Sequence, residues 1–142
     1  MKRFGSIGAV VLAALWARAD APPGRYTIAN GTVRDNQTML TWQQTLDGST
    51  VSWAGASTYC MSLALDGGGF RVPSVTELQT IVEEGRAGPS IDATAFPATP
   101  AVRFWTSSAQ RNVAGSAWLV SFDDGEVTPS PTSTLAPVRC VR

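Results

Sequence analysis

The stretch GGGFRVPSVTELQTIVEEG, residues 67–85, decides how the rest of the chain is read. Three glycines break the segment before them, the short apolar run Phe70–Val72 follows, and Pro73 ends it. Ser74 and Glu77 then stand in S-x-x-E spacing. There the Ser74 hydroxyl accepts the Glu77 backbone N–H while the Glu77 side chain reaches back to the Ser74 N–H. Val75, Leu78, Ile81 and Val82 recur at helical spacing and Gly85 offers a stop, so a strand-to-helix corner is expected here. Such a corner either carries a site or fixes a fold.

Outward from it, the elements come in a simple order. Tyr26-Thr27-Ile28 alternates like a strand and meets Asn30-Gly31, a hairpin-turn dipeptide. MLTWQQ (39–44) reads as a further strand. Ser52 can cap a helix over Trp53 to Leu65, with Trp53, Ala56, Cys60 and Leu63 on one stripe. Pro89 to Pro100 is irregular, with Ile91 and Phe96 as inward anchors. FWTSS (104–108) and AWLVSF (117–122) read as paired strands around the polar loop 109–116. Asp124-Gly125 is a second hairpin signal, TPSPTSTLAP (128–137) reads as a loop, and VRCVR (138–142) as a last strand. Strands, two helices, then strands indicate an α+β fold: one compact domain with a mainly antiparallel sheet and two helices.

The first residues have a different character. Lys2 and Arg3 give a basic start, Phe4 to Trp16 an apolar run, and Ala17-Arg18-Ala19 a small-x-small site, the pattern of a secretory signal peptide over 1–19. Cleavage is expected after Ala19, since a cut after Ala21 would put Pro22 behind the scissile bond. The domain is then 20–142, long enough for a real core. It keeps 8 arginines and no lysine against 11 acidic residues. A weakly acidic surface argues against nucleic acid and against anionic membranes, and no membrane insertion is expected once the leader is gone. The expected destination is secreted, periplasmic or cell-surface. Cys60 and Cys140 are the only cysteines, and in an exported chain one disulfide is the default. Free or metal-binding thiolates are the other option, although there is neither a histidine nor a further cysteine to complete a zinc site.

The lack of histidine removes Ser-His-Asp and Cys-His catalysis and the usual pH switch. Without lysine after the leader there is no P-loop lysine, Schiff base or Ser-Lys dyad. No metal and no cofactor is expected. Asp123, Asp124 and Glu126 lie close enough in sequence to hold one Ca²⁺ or to act as an acid/base pair. An Asp-Gly turn with solvated carboxylates is the simpler account. Glu77 is explained as a cap. Trp42, Trp53, Trp105 and Trp118 fall in expected strands or helix and read as core before they read as sugar-stacking surface.

In order, GTVRDNQTMLTWQQ (31–44), WAGASTYCMSLAL (53–65), FRVPSVTELQTIV (70–82), PSIDATAFPATP (89–100), FWTSS, AWLVSFDDGEV (117–127) and VRCVR resemble the Lcl C-terminal domain family, the domain that closes a bacterial collagen-like adhesin. The resemblance implies a fold related to C-type lectins and the formylglycine-generating enzyme. It also implies that Cys60 and Cys140 match the family's cysteine pair, and that the Arg71–Ser74 corner marks architecture. The calcium-and-sugar motifs of animal lectins are absent, so their calcium-dependent sugar binding does not carry over. Nor does formylglycine-generating chemistry, which needs a reactive cysteine pair.

A non-enzymatic binding or adhesion module is therefore expected, recognising a surface polysaccharide or protein. Its ligand face would be built from 109–116, 123–126 and 128–137, with Arg111, Asn112, Asp123, Asp124 and Glu126 as candidate contacts. A small exported enzyme using those carboxylates, or an envelope protein without a small ligand, are the alternatives.

Overall fold

The computed structural model describes residues 21–142, so the expected leader, 1–19, lies outside the described residues. Two three-stranded antiparallel sheets and two helices make up the chain described. In the first sheet, β1 (Tyr26–Ala29), β2 (Thr32–Asp35) and β3 (Thr41–Gln43) lie side by side in sequence order. The β1–β2 turn is the expected Asn30-Gly31, with φ of 53° and 76°. Two positive values in a row are the signature of a type I′ turn, whose twist matches that of the strands it joins.

Helix α1 (Trp53–Ser62) starts where Ser52 predicts, its side chain accepting the Gly55 N–H at 3.2 Å. It ends short of Leu65. Leu63 leaves helical geometry, a 3₁₀ turn (Leu65–Gly67) follows, and Gly67, Gly68 and Gly69 all take positive φ. Helix α2 (Val75–Gln79) carries the full capping box: Ser74 Oγ takes the Glu77 N–H at 3.2 Å, and Glu77 Oε1 takes the Ser74 N–H at 2.9 Å. It is also shorter than its periodicity suggests. Its last turn tightens, with Ile81 N–H donating to the Leu78 C=O at 3.3 Å and Val82 N–H to the Gln79 C=O at 3.1 Å. The Thr80 hydroxyl donates to the Glu77 C=O and the Arg25 guanidinium to the Thr80 C=O. Ile81 and Val82 still pack inward, from a turn.

The second sheet is β4 (Arg103–Ala109), β5 (Ser116–Ser121) and β6 (Val127–Pro131). Strand β6 corrects the expectation of a loop at 128–137. Pro129 pairs with Trp118 and Pro131 with Ser116 on an edge strand, where the missing N–H would face away from the partner. The sheet separates two cores. Phe104, Val120 and Phe122 join Trp42, Leu78 and Phe96 on one side, while Trp105, Ala117 and Leu119 join Ala56, Phe70 and the cysteines on the other. Neighbouring residues such as Phe104 and Trp105 thus serve opposite faces, as strand alternation requires.

Residues 138–142 do not form the expected strand. They make single bridges, Val141 to both Trp42 and Arg71, and the FRV segment is likewise reduced to its bridge at Arg71. Cys140 is bonded to Cys60, both fully buried. Closing a loop of this size removes chain entropy from the unfolded state worth about 4–5 kcal/mol. Arg139 is buried whole. Its Nη1 donates to the Gln43 and Gln44 carbonyls at 2.7 and 2.6 Å, its Nη2 to Thr99 Oγ1 at 2.7 Å, and its guanidinium carbon sits 4.9 Å from the Phe96 ring centre. No ion pair of Arg139 is found among the described residues. Burial pulls the guanidinium down to about 9, which leaves it a cation at neutral pH.

Two outcomes follow from this packing. The unreduced protein should hold no alkylatable thiol, whereas free Cys60 or Cys140 would contradict the bridge. Arg139→Lys should lower the unfolding free energy in urea by at least about 1–3 kcal/mol, since a compact ammonium cannot serve three acceptors spread around a planar fork. Unchanged stability would show that the three bonds contribute nothing net.

Candidate functional site

Trp53 is the first residue of α1, directly after the Ser52 cap, and two backbone acceptors hold it. Its backbone N–H donates to Thr132 O at 3.0 Å and its indole Nε1 to Thr106 O at 2.8 Å. Trp42 and Trp105 are fully buried, but the Trp53 ring is half-buried and stands between two clefts. The first, about 430 Å³, is lined by Trp53, Ala54 and Ser57 of α1, Arg71 and Val72, and Ser107 of β4. The second, about 520 Å³, lies between Trp53, the β4–β5 loop at Gln110 and 112–116, and Thr132. One indole thus forms a wall of both.

The opening corner builds the far wall of the first cleft. Arg71 Nη1 and Nη2 donate to Glu77 Oε1 and Oε2, both at 2.7 Å. The corner is fastened to β4, with Ser107 N–H donating to Pro73 O at 2.8 Å and Val75 N–H to Ser108 Oγ at 3.0 Å. The paired bonds from Arg71 hold the Glu77 carboxyl down at about 2; partial burial opposes this and the Ser74 N–H assists. The same bonds raise the Arg71 guanidinium against its own burial. Architecture and cleft are therefore made by the same residues.

The candidates read from the sequence separate. Asn112 lines the second cleft in a left-handed conformation, φ 62°, while Arg111 is exposed in the same loop and outside the cleft lining. Asp123, Asp124 and Glu126 lie at the opposite end of β5, and a six-residue strand (Ser116–Ser121) puts about 20 Å between the two groups. The face expected from 109–116, 123–126 and 128–137 is thus divided, and only the turn after β6 joins the Asn112 loop, through Thr132 N–H to Gly115 O at 2.9 Å. At the far end, Asp124 Oδ1 takes the Glu126 N–H at 3.0 Å, which holds its exposed carboxyl below the usual range. Glu126 meets Arg103 at 3.6 Å, a pair more than half exposed on each side. Among the described residues no three His, Cys, Asp or Glu side chains gather as a metal site would need.

The Lcl C-terminal domain family matches residues 31–142. The chain belongs to this family. No curated protein sequence matches it. Membership in the Lcl C-terminal domain family suggests an extracellular, adhesin-like module, and the buried disulfide is compatible with an oxidising compartment. No helix among the described residues is long and apolar enough to cross a membrane. In this Lcl C-terminal domain, the cleft-lining Trp53 and Arg71 were not among the candidates read from the sequence, because a helical stripe and a capped corner explain both without a ligand. The available signal was Trp53's place at the first helical position, where the indole N–H needs an acceptor from outside the helix.

Ser74→Ala should cost about 0.5–2 kcal/mol through loss of the cap, seen as a lower unfolding midpoint. Because the Glu77 pKa is depressed in the fold from 4.5 to about 2, its contribution is present above about pH 4.5 and is lost as pH falls toward 2. Glu77→Gln keeps the capping-box chemistry but should flatten that acid limb of a melting-temperature profile. An unaltered acid limb would show that the Arg71–Glu77 pair does not contribute.

Proposed function

We propose that the protein is a secreted, non-enzymatic adhesion module that holds a surface polysaccharide across the indole of Trp53. The observation that carries this reading is the position of that ring, pinned by the Thr106 carbonyl and shared by two clefts of the size that small ligands occupy. A sugar ring has an apolar C–H face and a rim of hydroxyls. A fixed indole suits the face, and the hydroxyls and amides of Ser57, Ser107, Asn112 and Thr132 suit the rim. Two adjoining clefts further suit consecutive residues of a chain. No carboxylate lines either cleft, so the lining favours binding over acid/base cleavage. Periplasm, cell surface and medium all fit the expected leader.

A glycan array probed with the mature, oxidised protein should show hits, and those hits should weaken at least about tenfold in Trp53→Ala. Trp53→Phe, which keeps an aromatic face, should retain more binding than the alanine variant. EDTA should change nothing. Full binding by Trp53→Ala would move the site elsewhere, and loss in EDTA would point to a calcium site at Asp123, Asp124 and Glu126. Turnover of any arrayed glycan would overturn the non-enzymatic reading.

A further inference from the structure

We propose that Glu77 sets the charge specificity of the Trp53 surface: by gripping both terminal nitrogens of Arg71 it converts the one charged residue among the described cleft lining into a neutral pair, so that the ligand is an uncharged polysaccharide and acidic ones are rejected. The inference rests on the proposed binding role of the Trp53 clefts and adds the class of ligand they take.

An unpaired guanidinium in a cleft is the natural receptor for a carboxylate, because its fork of N–H donors matches two oxygens at once. Here each terminal nitrogen already donates to Glu77, at 2.7 Å on each arm, and the pair carries no net charge, although three of the five N–H groups stay open to neutral acceptors. An anionic ligand would meet no net positive charge there and would approach an ionised carboxylate, unless it displaced Glu77. Glu77 is also poorly free to leave. Its Oε1 is held from a second side by the Ser74 N–H at 2.9 Å, and its backbone N–H by Ser74 Oγ. Its depressed pKa keeps it ionised throughout the neutral range. Moving the carboxylate would therefore undo the start of α2 as well as the ion pair. A neutral sugar meets no such obstacle, since its hydroxyls can accept from the open N–H groups of Arg71 and can donate to or accept from the hydroxyls and amides of the lining. The remaining polar lining residues, Ser57, Ser107, Gln110, Asn112, Ser116 and Thr132, are all uncharged.

The test uses the mature, oxidised protein and matched polysaccharide pairs: polygalacturonate, alginate, hyaluronan and xanthan, each native and carboxyl-reduced. Calorimetric titration at pH 7 gives an acid-to-neutral affinity ratio for each pair that binds. The wild type should favour the carboxyl-reduced forms. Glu77→Gln, which keeps the capping-box chemistry, should raise the ratio about tenfold by freeing the guanidinium. Arg71→Gln should lower the ratio below the wild-type value by leaving Glu77 uncompensated. Trp53→Ala should weaken both forms of a pair alike. A wild type that prefers the acidic forms, or a Glu77→Gln ratio that stays put while Trp53→Ala loses binding, overturns this inference and leaves the Trp53 site standing. Binding to no member of any pair overturns the polysaccharide reading and this inference with it.

Discussion

Five consecutive residues, Val138 to Arg142, hold the described chain together by sending successive side chains to different parts of it. Val138 and Cys140 enter the core that contains α1, and Val141 enters the other, where it bridges Trp42 of the first sheet and the Arg71 backbone. Arg139 ties down the end of β3 through the Gln43 and Gln44 carbonyls, and Thr99 in the irregular segment through its hydroxyl. Arg142 takes the Asp66 and Gly68 carbonyls and pairs with the Asp66 carboxylate at 2.7 Å, which fixes the turn after α1. A buried cation without a carboxylate partner is an expensive way to hold a loop. It is tolerable here because three acceptors and the Phe96 ring face the guanidinium, and because the disulfide one residue away denies the segment the freedom to withdraw.

This constraint explains where the two Trp53 clefts fall. With Cys60 anchored, α1 is fixed near its C-terminal end, and its N-terminal end is set by Trp53, whose backbone N–H donates to the Thr132 carbonyl and whose indole N–H donates to the Thr106 carbonyl. The bridge from Val141 to Arg71 fixes the opposite wall of the first cleft. Arg71 then needs only the short turn through Pro73 to meet Glu77. The cleft walls are thus made from regular elements and their capped ends, with the loop between β4 and β5 contributing to the second cleft. Walls set by the fold in this way would reduce the entropy lost on binding a ligand.

Features fixed by short-range chemistry were legible in the sequence. Asn30-Gly31, the Ser52 cap, the Ser74–Glu77 box and the inward Ile91 and Phe96 all stand as their local patterns require. What the pattern hid was decided at a distance. The prolines of 128–137 read as a loop because nothing local says that β5 would offer them an edge position. The periodicity of Ile81 and Val82 ran past the real end of α2, where the backbone tightens to three-residue turns and Arg25, from before the first strand, donates to the Thr80 carbonyl. Arg111 and Asp123–Glu126 looked like one face because sequence distance does not show that a straight strand lies between them. Trp53 looked like core because its exposure depends on how closely α1, the Arg71 segment and β4 meet, and no local signal reports that.

One ring, that of Trp53, is common to both clefts. Each of the four tryptophans of the described chain carries one indole N–H, a probe of its own surroundings. Trp42 and Trp105 are fully buried and serve as internal controls, while Trp53 borders the clefts. A ¹H–¹⁵N titration of the mature, oxidised protein with a polysaccharide that it binds measures the site without any substitution. The Trp53 indole signal should move together with the backbone amides of Arg71, Ser107 and Asn112, while those of Asp123, Asp124 and Glu126 stay still. Shifts confined to the Asp123–Glu126 turn, with the Trp53 indole unmoved, would contradict the account.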